Sequence, residues 1–289
     1  METVAFYSYK GGVGRTLLVA NTAQFLAMSG RRVVVLDLDL EAPGLHLKLA
    51  SPEALSRARS GNLLGAVDLL LDALENEPRI HSIREAALEV DLPVQPNGSL
   101  HLIPAGSPPS HTYWAAIERL NKALRSPRRD GGLLEAVLEL QARISEEFAP
   151  EFLLVDSRTG ITELGGLATS ILADRVVCLT TMAPDSVEGT RVVAEALRGA
   201  PRLPSQKPLR LDFLITRVEP GSERSNSLAK LIEELGGSVE VLPQGSGITL
   251  EERIISNWLP GHAPESDDCD RHDLFSATLG WIAKSFPGQ

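Results

Sequence analysis

Residues 6–26 read FYSYKGGVGRTLLVANTAQFL: an apolar stretch, a turn with three glycines, two cations and a threonine, and then a run with helical spacing. A glycine turn between a strand and a helix start aims several backbone N–H groups, and the positive end of the helix dipole, at one point. That point suits a phosphate. Gly11, Gly12 and Gly14 permit the tight path and leave room for phosphate oxygens, while the backbone of Val13 and Leu17 belongs to the same loop and first helical turn. Thr16 is placed to set its hydroxyl on a magnesium ion. Lys10 opens the turn and Arg15 stands just before Thr16. Arginine keeps a positive charge and grips phosphate through a planar fork, but it is bulkier than a lysine ammonium and not its equivalent.

A phosphate loop calls for acidic residues at the carboxyl ends of neighbouring strands, where open α/β sheets place ligands. Two segments supply them: RVVVLDLDLEAPGL ends its apolar run with Asp37 and Asp39, and FLLVDSRTGITELGG ends its run with Asp156. A carboxylate at the end of an apolar strand is costly to bury unpaired, so a cation or hydrogen-bond donors should lie near. With Thr16, the carboxylates Asp37, Asp39 and Asp156 are the candidate residues around such a cation. Asp37 also fits an N-terminal cap or a loop ion pair.

These groups need a scaffold that delivers several strand ends to one edge. Short apolar runs recur, among them TVAFYSY, RVVVLDLDL, SLHLIPAG, FLLVDS, RVVCLTT, LRLDFLITR and SVEVLP, and helical segments lie between them. This alternation predicts an α/β fold with a doubly wound, mostly parallel sheet and helices on both faces. The helix from Thr16 places Leu18, Thr22 and Phe25 on one face and stops at Gly30. A second helical run begins at residue 132. Residues 51–130 carry a helix in GNLLGAVDLLLDALE, a loop in EVDLPVQPNGS, a strand over Leu100–Pro104 and a helix around YWAAIERLNKAL. Nothing in them forces a separate domain, so residues 1–289 read as one domain with a variable middle.

Composition narrows the function classes. The 289 residues are 43% hydrophobic and carry a formal charge of −10, which disfavours unaided binding to DNA or anionic lipid. Local basic clusters stand against that average: Arg125, Arg128 and Arg129 in one stretch, and Arg198, Arg202, Lys207 and Arg210 in another. Both are rich in glycine or proline and read as solvated loops. No apolar run is long enough to span a bilayer and the chain starts without a basic leader, so the expected location is the cytoplasm. Cys178 lies inside an apolar strand and far in sequence from Cys269, which argues against disulfides and cysteine-ligated metals.

The string K-G-G-V-G-R-T resembles the deviant Walker A loop, K-G-G-x-G-K-[ST], of the ParA/MinD family of P-loop ATPases in the SIMIBI class. The resemblance implies ATP and magnesium as ligands and a homodimer across the nucleotide face, with Lys10 reaching the partner subunit's ATP. Arg15 matches the loop lysine that touches the β- and γ-phosphates, and YSYKGGVGR with DLDLEAPGL looks like a subgroup with arginine built into that position. Asp39 matches the aspartate that helps position the attacking water, Asp156 the Walker B aspartate that holds magnesium through water, and Gly160 the switch II turn near the γ-phosphate. FLITRVEPG places Thr216 and Arg217 near adenine, and VEVLPQGSGITLEERI offers Pro243 and Gln244 to a loop over the base.

Within that family, iron-sulfur branches need cysteine ligands that Cys178 and Cys269 do not provide, and the related tyrosine kinases carry a terminal tyrosine cluster, whereas the tyrosines here are Tyr7, Tyr9 and Tyr113. The last segment aligns Leu274, Phe275, Thr278, Leu279, Ile282 and Phe286 on one face with Lys284 as its single basic residue, so it reads as a helix packed on the sheet rather than a membrane anchor. What remains is an ATP-controlled dimer switch acting on an unidentified protein partner. The alternatives are a nucleotide-dependent sensor with little or no turnover, a DNA-partition ATPase, and an ATP-dependent ligase.

Overall fold

The computed structural model describes residues 1–75, 79–92, 97–108, 110–125, 132–204, 206–219, 226–236, 238–243 and 278–286. Its strands are β1 (Glu2–Ser8), β2 (Arg32–Asp37), β3 (Leu88–Glu89), β4 (Ser99–Ile103), β5 (Phe152–Asp156), β6 (Arg175–Thr180), β7 (Arg210–Val218) and β8 (Ser238–Pro243). They form one sheet in the order β3-β4-β2-β5-β1-β6-β7-β8. All neighbours are parallel except β3, which runs against β4. β1 is therefore central, and its carboxyl end opens between those of β5 and β6.

The helices are α1 (Arg15–Met28), α2 (His46–Leu49), α3 (Pro52–Arg59), α4 (Ala66–Glu75), α5 (His111–Arg125), α6 (Leu133–Phe148), α7 (Glu163–Leu167), α8 (Pro184–Gly199), α9 (Asn226–Leu235) and α10 over 278–285. Period-two alternation of strand side chains divides the core into two layers. Val4 and Phe6 of β1, Val33 and Val35 of β2, and Val177 and Leu179 of β6 face the layer covered by α1 and α10. Ala5 and Tyr7, Val34 and Leu36, and Val176 and Cys178 face the layer covered by α4, α5, α6, α8 and α9. The sheet is thus covered on both faces, as the near-continuous apolar strands require.

Within residues 51–130, the variable middle of the sequence reading, β3 and β4 extend this same sheet beyond β2. Cys178 is fully buried, and that burial pushes its thiol up to about 12, so it behaves as a small apolar residue. Trp281 and Ile282 of α10, with Phe286 just past its end, are buried against the α1 layer, and Leu279 packs beside them. Trp281 lies outside the face that helical spacing singled out, and Leu274 and Phe275 lie outside the described residues. Arg175 locks this helix to the sheet: its Nη1 donates to the Ser285 carbonyl at 2.8 Å, its guanidinium stacks 4.8 Å from the Phe286 ring, and its Nε pairs with Asp212. No helix among the described residues is long and apolar enough to cross a membrane.

The second basic cluster does not form one open patch. Arg198 donates to the Leu235 carbonyl at the end of α9, and Arg202 donates to the Ser170 and Ala173 carbonyls. Lys207 and Arg210 are exposed. Arg128 and Arg129 lie outside the described residues, as does the side chain of Arg125.

Candidate functional site

The chain leaves β1 at Ser8 and turns through residues 9–14 before α1 begins. Gly12 (φ 75°) and Gly14 (φ 90°) adopt the left-handed backbone that a side chain would strain. A Cβ added at Gly11, Gly12 or Gly14 would meet no atom within 4 Å. Their bareness keeps open space above the loop, where a phosphate needs room. Gly14 is the N-cap of α1 and offers no side-chain cap, so the first-turn N–H groups of Arg15, Thr16 and Leu17 remain available to a ligand. Val13 anchors the loop from below, being 4% exposed, and its carbonyl accepts the Thr216 hydroxyl at 2.9 Å.

The loop is also held from the side. A Cβ on Gly189 of α8 would fall 2.0 Å from the Tyr9 ring, so the bare helix surface is what lets Tyr9 lie there. Lys10 follows directly and pairs with Asp185 in the first turn of α8, at 2.8 Å, with both side chains largely exposed. The bond to Asp185 raises the Lys10 pKa, and the bond to Lys10 lowers that of Asp185. Exposed pairs of this kind are weak, so the ammonium is free to be drawn elsewhere.

Three carboxylates converge beneath the loop. Asp37 and Asp156 end adjacent strands in register, both fully buried, and Asp39 follows at 6% exposure. Arg15, 5% exposed, turns inward to meet them. Its Nε donates to Asp156 Oδ1 at 2.5 Å, its Nη2 to Asp39 Oδ2 at 2.6 Å, and its Nη1 to Ser8 Oγ at 3.3 Å. Burial works against the guanidinium charge, and Asp156 and Asp39 overcome it, raising the Arg15 pKa. Burial likewise raises Asp156, opposed by Arg15 and the Thr16 hydroxyl. Asp37 is raised well above the carboxylate range by burial, then by Asp156 and Asp39, against the pull of its two amide donors.

The structure distributes these acids unequally. Asp37 accepts the N–H of Asp39 at 3.1 Å and that of Leu45 at 3.3 Å, so both oxygens serve the loop after β2. This fits its loop-capping alternative better than a metal-ligand role. Asp156 Oδ2, by contrast, is buried with no hydrogen-bond partner among the described residues. An orphaned carboxylate oxygen beside Thr16 and an open glycine cradle are what a magnesium-bound phosphate would need, so the residues present fit that group. Among the described residues no three carboxylate, imidazole or thiol groups are set to enclose an ion directly; phosphate oxygens and water would complete any shell.

Gly160 (φ 72°) is tied to β1, its N–H donating to the Ser8 carbonyl at 3.3 Å and its carbonyl accepting the Tyr7 hydroxyl at 3.2 Å. Arg158 pairs with Glu41, linking the turn after β5 to the loop after β2. Thr216 is buried, with its hydroxyl committed to the Val13 and Thr180 carbonyls, so it ties β7 to the phosphate loop. Arg217 is exposed, at an irregularity of β7, with a left-handed φ of 58° that is uncommon for a non-glycine residue. Pro243 ends β8, and Gln244 lies outside the described residues.

Several supporting residues escaped the sequence reading. Tyr113 of α5 donates to the Leu40 carbonyl at 2.5 Å and so braces the segment that carries Asp39. A Cβ on Gly106 would collide with its ring at 2.8 Å. Lys48 of α2 is half-buried; burial lowers its pKa and the Asp156 charge opposes that fall. Tyr7, Ser8 and Asp185 complete the set. Gly189 alone left a signal, since a glycine in a helix interior often marks a close approach.

A central strand, a glycine turn, a helix N-terminus and buried carboxylates on the adjacent strand ends together define a phosphate-loop nucleotide-binding domain. Residues 4–254 match the CobQ/CobB/MinD/ParA nucleotide binding domain, and the chain belongs to that family. A curated relative, "Putative replication protein A" of Rhizobium rhizogenes, is 24% identical over 249 residues, covering 82% of this chain and 55% of that protein. The chain spans about half, or less, of the length of the curated relatives it matches. Among solved structures, the MinD cell division protein of Aquifex aeolicus matches 100% of this chain and 98% of its own at 18% identity and a TM-score of 0.61. It is also known as a MinC:MinD complex, which matches at 17% identity, the same coverage and a TM-score of 0.60. The septum site-determining protein MinD of Pyrococcus horikoshii, complexed with Mg-ADP, matches 99% of this chain and 97% of its own at 19% identity and a TM-score of 0.61.

Proposed function

We propose that the chain binds ATP with magnesium, hydrolyses it slowly, and acts as a homodimeric switch on a protein partner. The observation that carries this reading is the convergence of the glycine cradle, the uncapped α1 N-terminus and the Asp39 and Asp156 carboxylates on one point at the carboxyl end of β1. Residues 10–17 hold the phosphates, through backbone N–H groups and the Lys10 and Arg15 cations. Thr16 and Asp156 hold magnesium, which supplies charge neutralisation to phosphoryl transfer when bound. Asp39 orients the attacking water and Gly160 meets the terminal phosphate. By the family resemblance Arg217, Pro243 and Gln244 are assigned to the base, while Thr216 supports the loop through the Val13 carbonyl.

In this reading Lys10 leaves Asp185 and enters the partner subunit's site, which the exposure of that ion pair permits. The Mg-ADP and MinC complexes of the related MinD structures support a magnesium nucleotide and a protein partner. ATP turnover and oligomeric mass, measured with magnesium on the native chain, Lys10→Ala and Asp39→Ala, test the proposal together. Turnover requiring both residues, with an ATP-stabilised dimer lost in Lys10→Ala, is the expected result.

A second reading is favoured by one observation. Asp39 is ion-paired to Arg15, so the group meant to position water is already engaged. A chain that keeps this pair with nucleotide bound is a nucleotide sensor without turnover. Tight ATP binding, no turnover, and a mass indifferent to Lys10 would select it.

A further inference from the structure

The Asp39 and Asp156 carboxylates stand in a site almost closed to water, and the Arg15 guanidinium bridges them. Like charges so placed repel unless a cation lies between them. The bridge leaves one demand unmet, because Asp156 Oδ2 has no partner among the described residues. Lys10 does not supply it, being drawn 2.8 Å from Asp185 on the surface. By its motif position Arg15 would grip phosphate, yet its buried guanidinium is engaged with Asp156, Asp39 and Ser8.

We propose that Arg15 is the resident cation of this carboxylate cluster in the nucleotide-free protein, and that the guanidinium and a divalent cation exclude one another there. The proposal rests on the reading of Thr16 and Asp156 as the magnesium-holding groups, and extends it. Arg15 is then a positioning residue whose side chain has two alternative sets of anions, the buried carboxylates or the phosphates of a ligand. Loading magnesium nucleotide requires the guanidinium to leave Asp156, and its transfer to the phosphates releases Asp39 at the same time. Loss of nucleotide lets it return, so the empty site stays neutralised without a metal. A lysine at this position carries a single point of charge and cannot donate to both carboxylates through a fixed fork.

The test uses no nucleotide, so its outcome is independent of whether the chain hydrolyses ATP. Thermal unfolding of the native chain, Arg15→Lys and Arg15→Gln is followed against magnesium chloride, with sodium chloride matched for ionic strength. The native chain should shift by less than about 1 °C. Arg15→Gln should lose stability without magnesium and regain about 2–4 °C once magnesium reaches roughly ten times its dissociation constant. Arg15→Lys should fall between the two. Calorimetric titration should show magnesium binding to Arg15→Gln at least about tenfold tighter than to the native chain.

Equal magnesium shifts in the native chain and Arg15→Gln would overturn the proposal. So would an Arg15→Gln protein that is folded and indifferent to magnesium. If Arg15→Gln folds only with magnesium present, the proposal is supported. If it folds under neither condition, the native chain against Arg15→Lys decides, and identical magnesium responses in those two overturn it.

Discussion

Tyr7→Phe removes one hydroxyl and tests whether Gly160 must part from β1 when nucleotide binds. The Tyr7 phenol donates to the Gly160 carbonyl at 3.2 Å, and the Gly160 N–H donates to the Ser8 carbonyl at 3.3 Å. Burial pushes the phenol far above its ordinary pKa, with Cys178 and Tyr9 adding to the rise and Arg15 opposing it, so the group remains a donor at any working pH. Phenylalanine keeps the ring, and the loss reduces to a hydrogen bond worth about 0.5–1.5 kcal/mol net. Gly160 is half-buried, so water takes over part of its carbonyl's needs and the upper figure is a ceiling.

The consequence is a pair of shifts in opposite directions. The nucleotide-free protein should lose about 1–4 °C of melting temperature. If Gly160 has to turn its N–H from Ser8 toward a phosphate, the Tyr7 bond is part of what binding must break. Its removal should then tighten magnesium-ATP binding by the same free energy, about 2- to 12-fold. Differential scanning fluorimetry reads the first shift and titration with a fluorescent ATP analogue the second. A variant that melts earlier but binds no tighter would refute the reasoning, because Gly160 would then keep its place on β1 in the nucleotide-bound state.

Two further perturbations bear on the frame around the loop. Gly189→Ala forces a methyl to 2.0 Å from the Tyr9 ring; about 1–3 kcal/mol of overpacking less about 1 kcal/mol of helix propensity leaves a net loss of about 0–2 kcal/mol. Its clearer mark should be a several-fold weakening of nucleotide binding through displacement of Tyr9 and Lys10, read by the same titration. Burial depresses the pKa of His46 below its usual 6.5, and its Nδ1 has no hydrogen-bond partner among the described residues. The unfolded chain then binds a proton more readily than the folded one, so stability is intact at higher pH and declines as pH falls through about 6.5. His46→Leu should flatten the fall in melting temperature between about pH 7 and 5.5; an unchanged slope would assign the acid sensitivity elsewhere, with the similarly depressed His101 the next group to replace.

The parts of this fold that were legible in sequence are those where a local pattern fixes a local structure. Apolar runs such as Val33–Leu36 mark strands covered on both faces, and the spacing of glycines 11, 12 and 14 marks a turn that must leave room above it. Asp37 and Asp156 were both placed at strand ends, and the parallel register of β2 with β5 sets them side by side. Tyr113 and Asp185 carried no comparable signal. Each acts through a partner distant in sequence, Leu40 for one and Lys10 for the other, and no periodicity records such a pairing. The two-residue strand β3 and the buried Trp281 escaped for the same reason, since a sheet edge and an irregular packing site decided them.

Arg15 shows where the limit of motif reasoning lies. Spacing within K-G-G-V-G-R-T fixes the backbone of residue 15 at the start of α1, but it does not fix which anions the guanidinium faces. That choice belongs to the balance of charge in the surroundings. Two buried carboxylates, Asp39 in the loop after β2 and Asp156 at the end of β5, attract the cation strongly because little water screens them, and in the absence of phosphate they hold it. The same balance makes the side chain responsive, because a phosphate in the cradle and a divalent ion at Asp156 change both sides of the competition at once. A loop residue that would otherwise serve only to grip phosphate thereby couples the occupancy of the cradle to the freedom of Asp39, and the state of the site is set by where a single guanidinium rests.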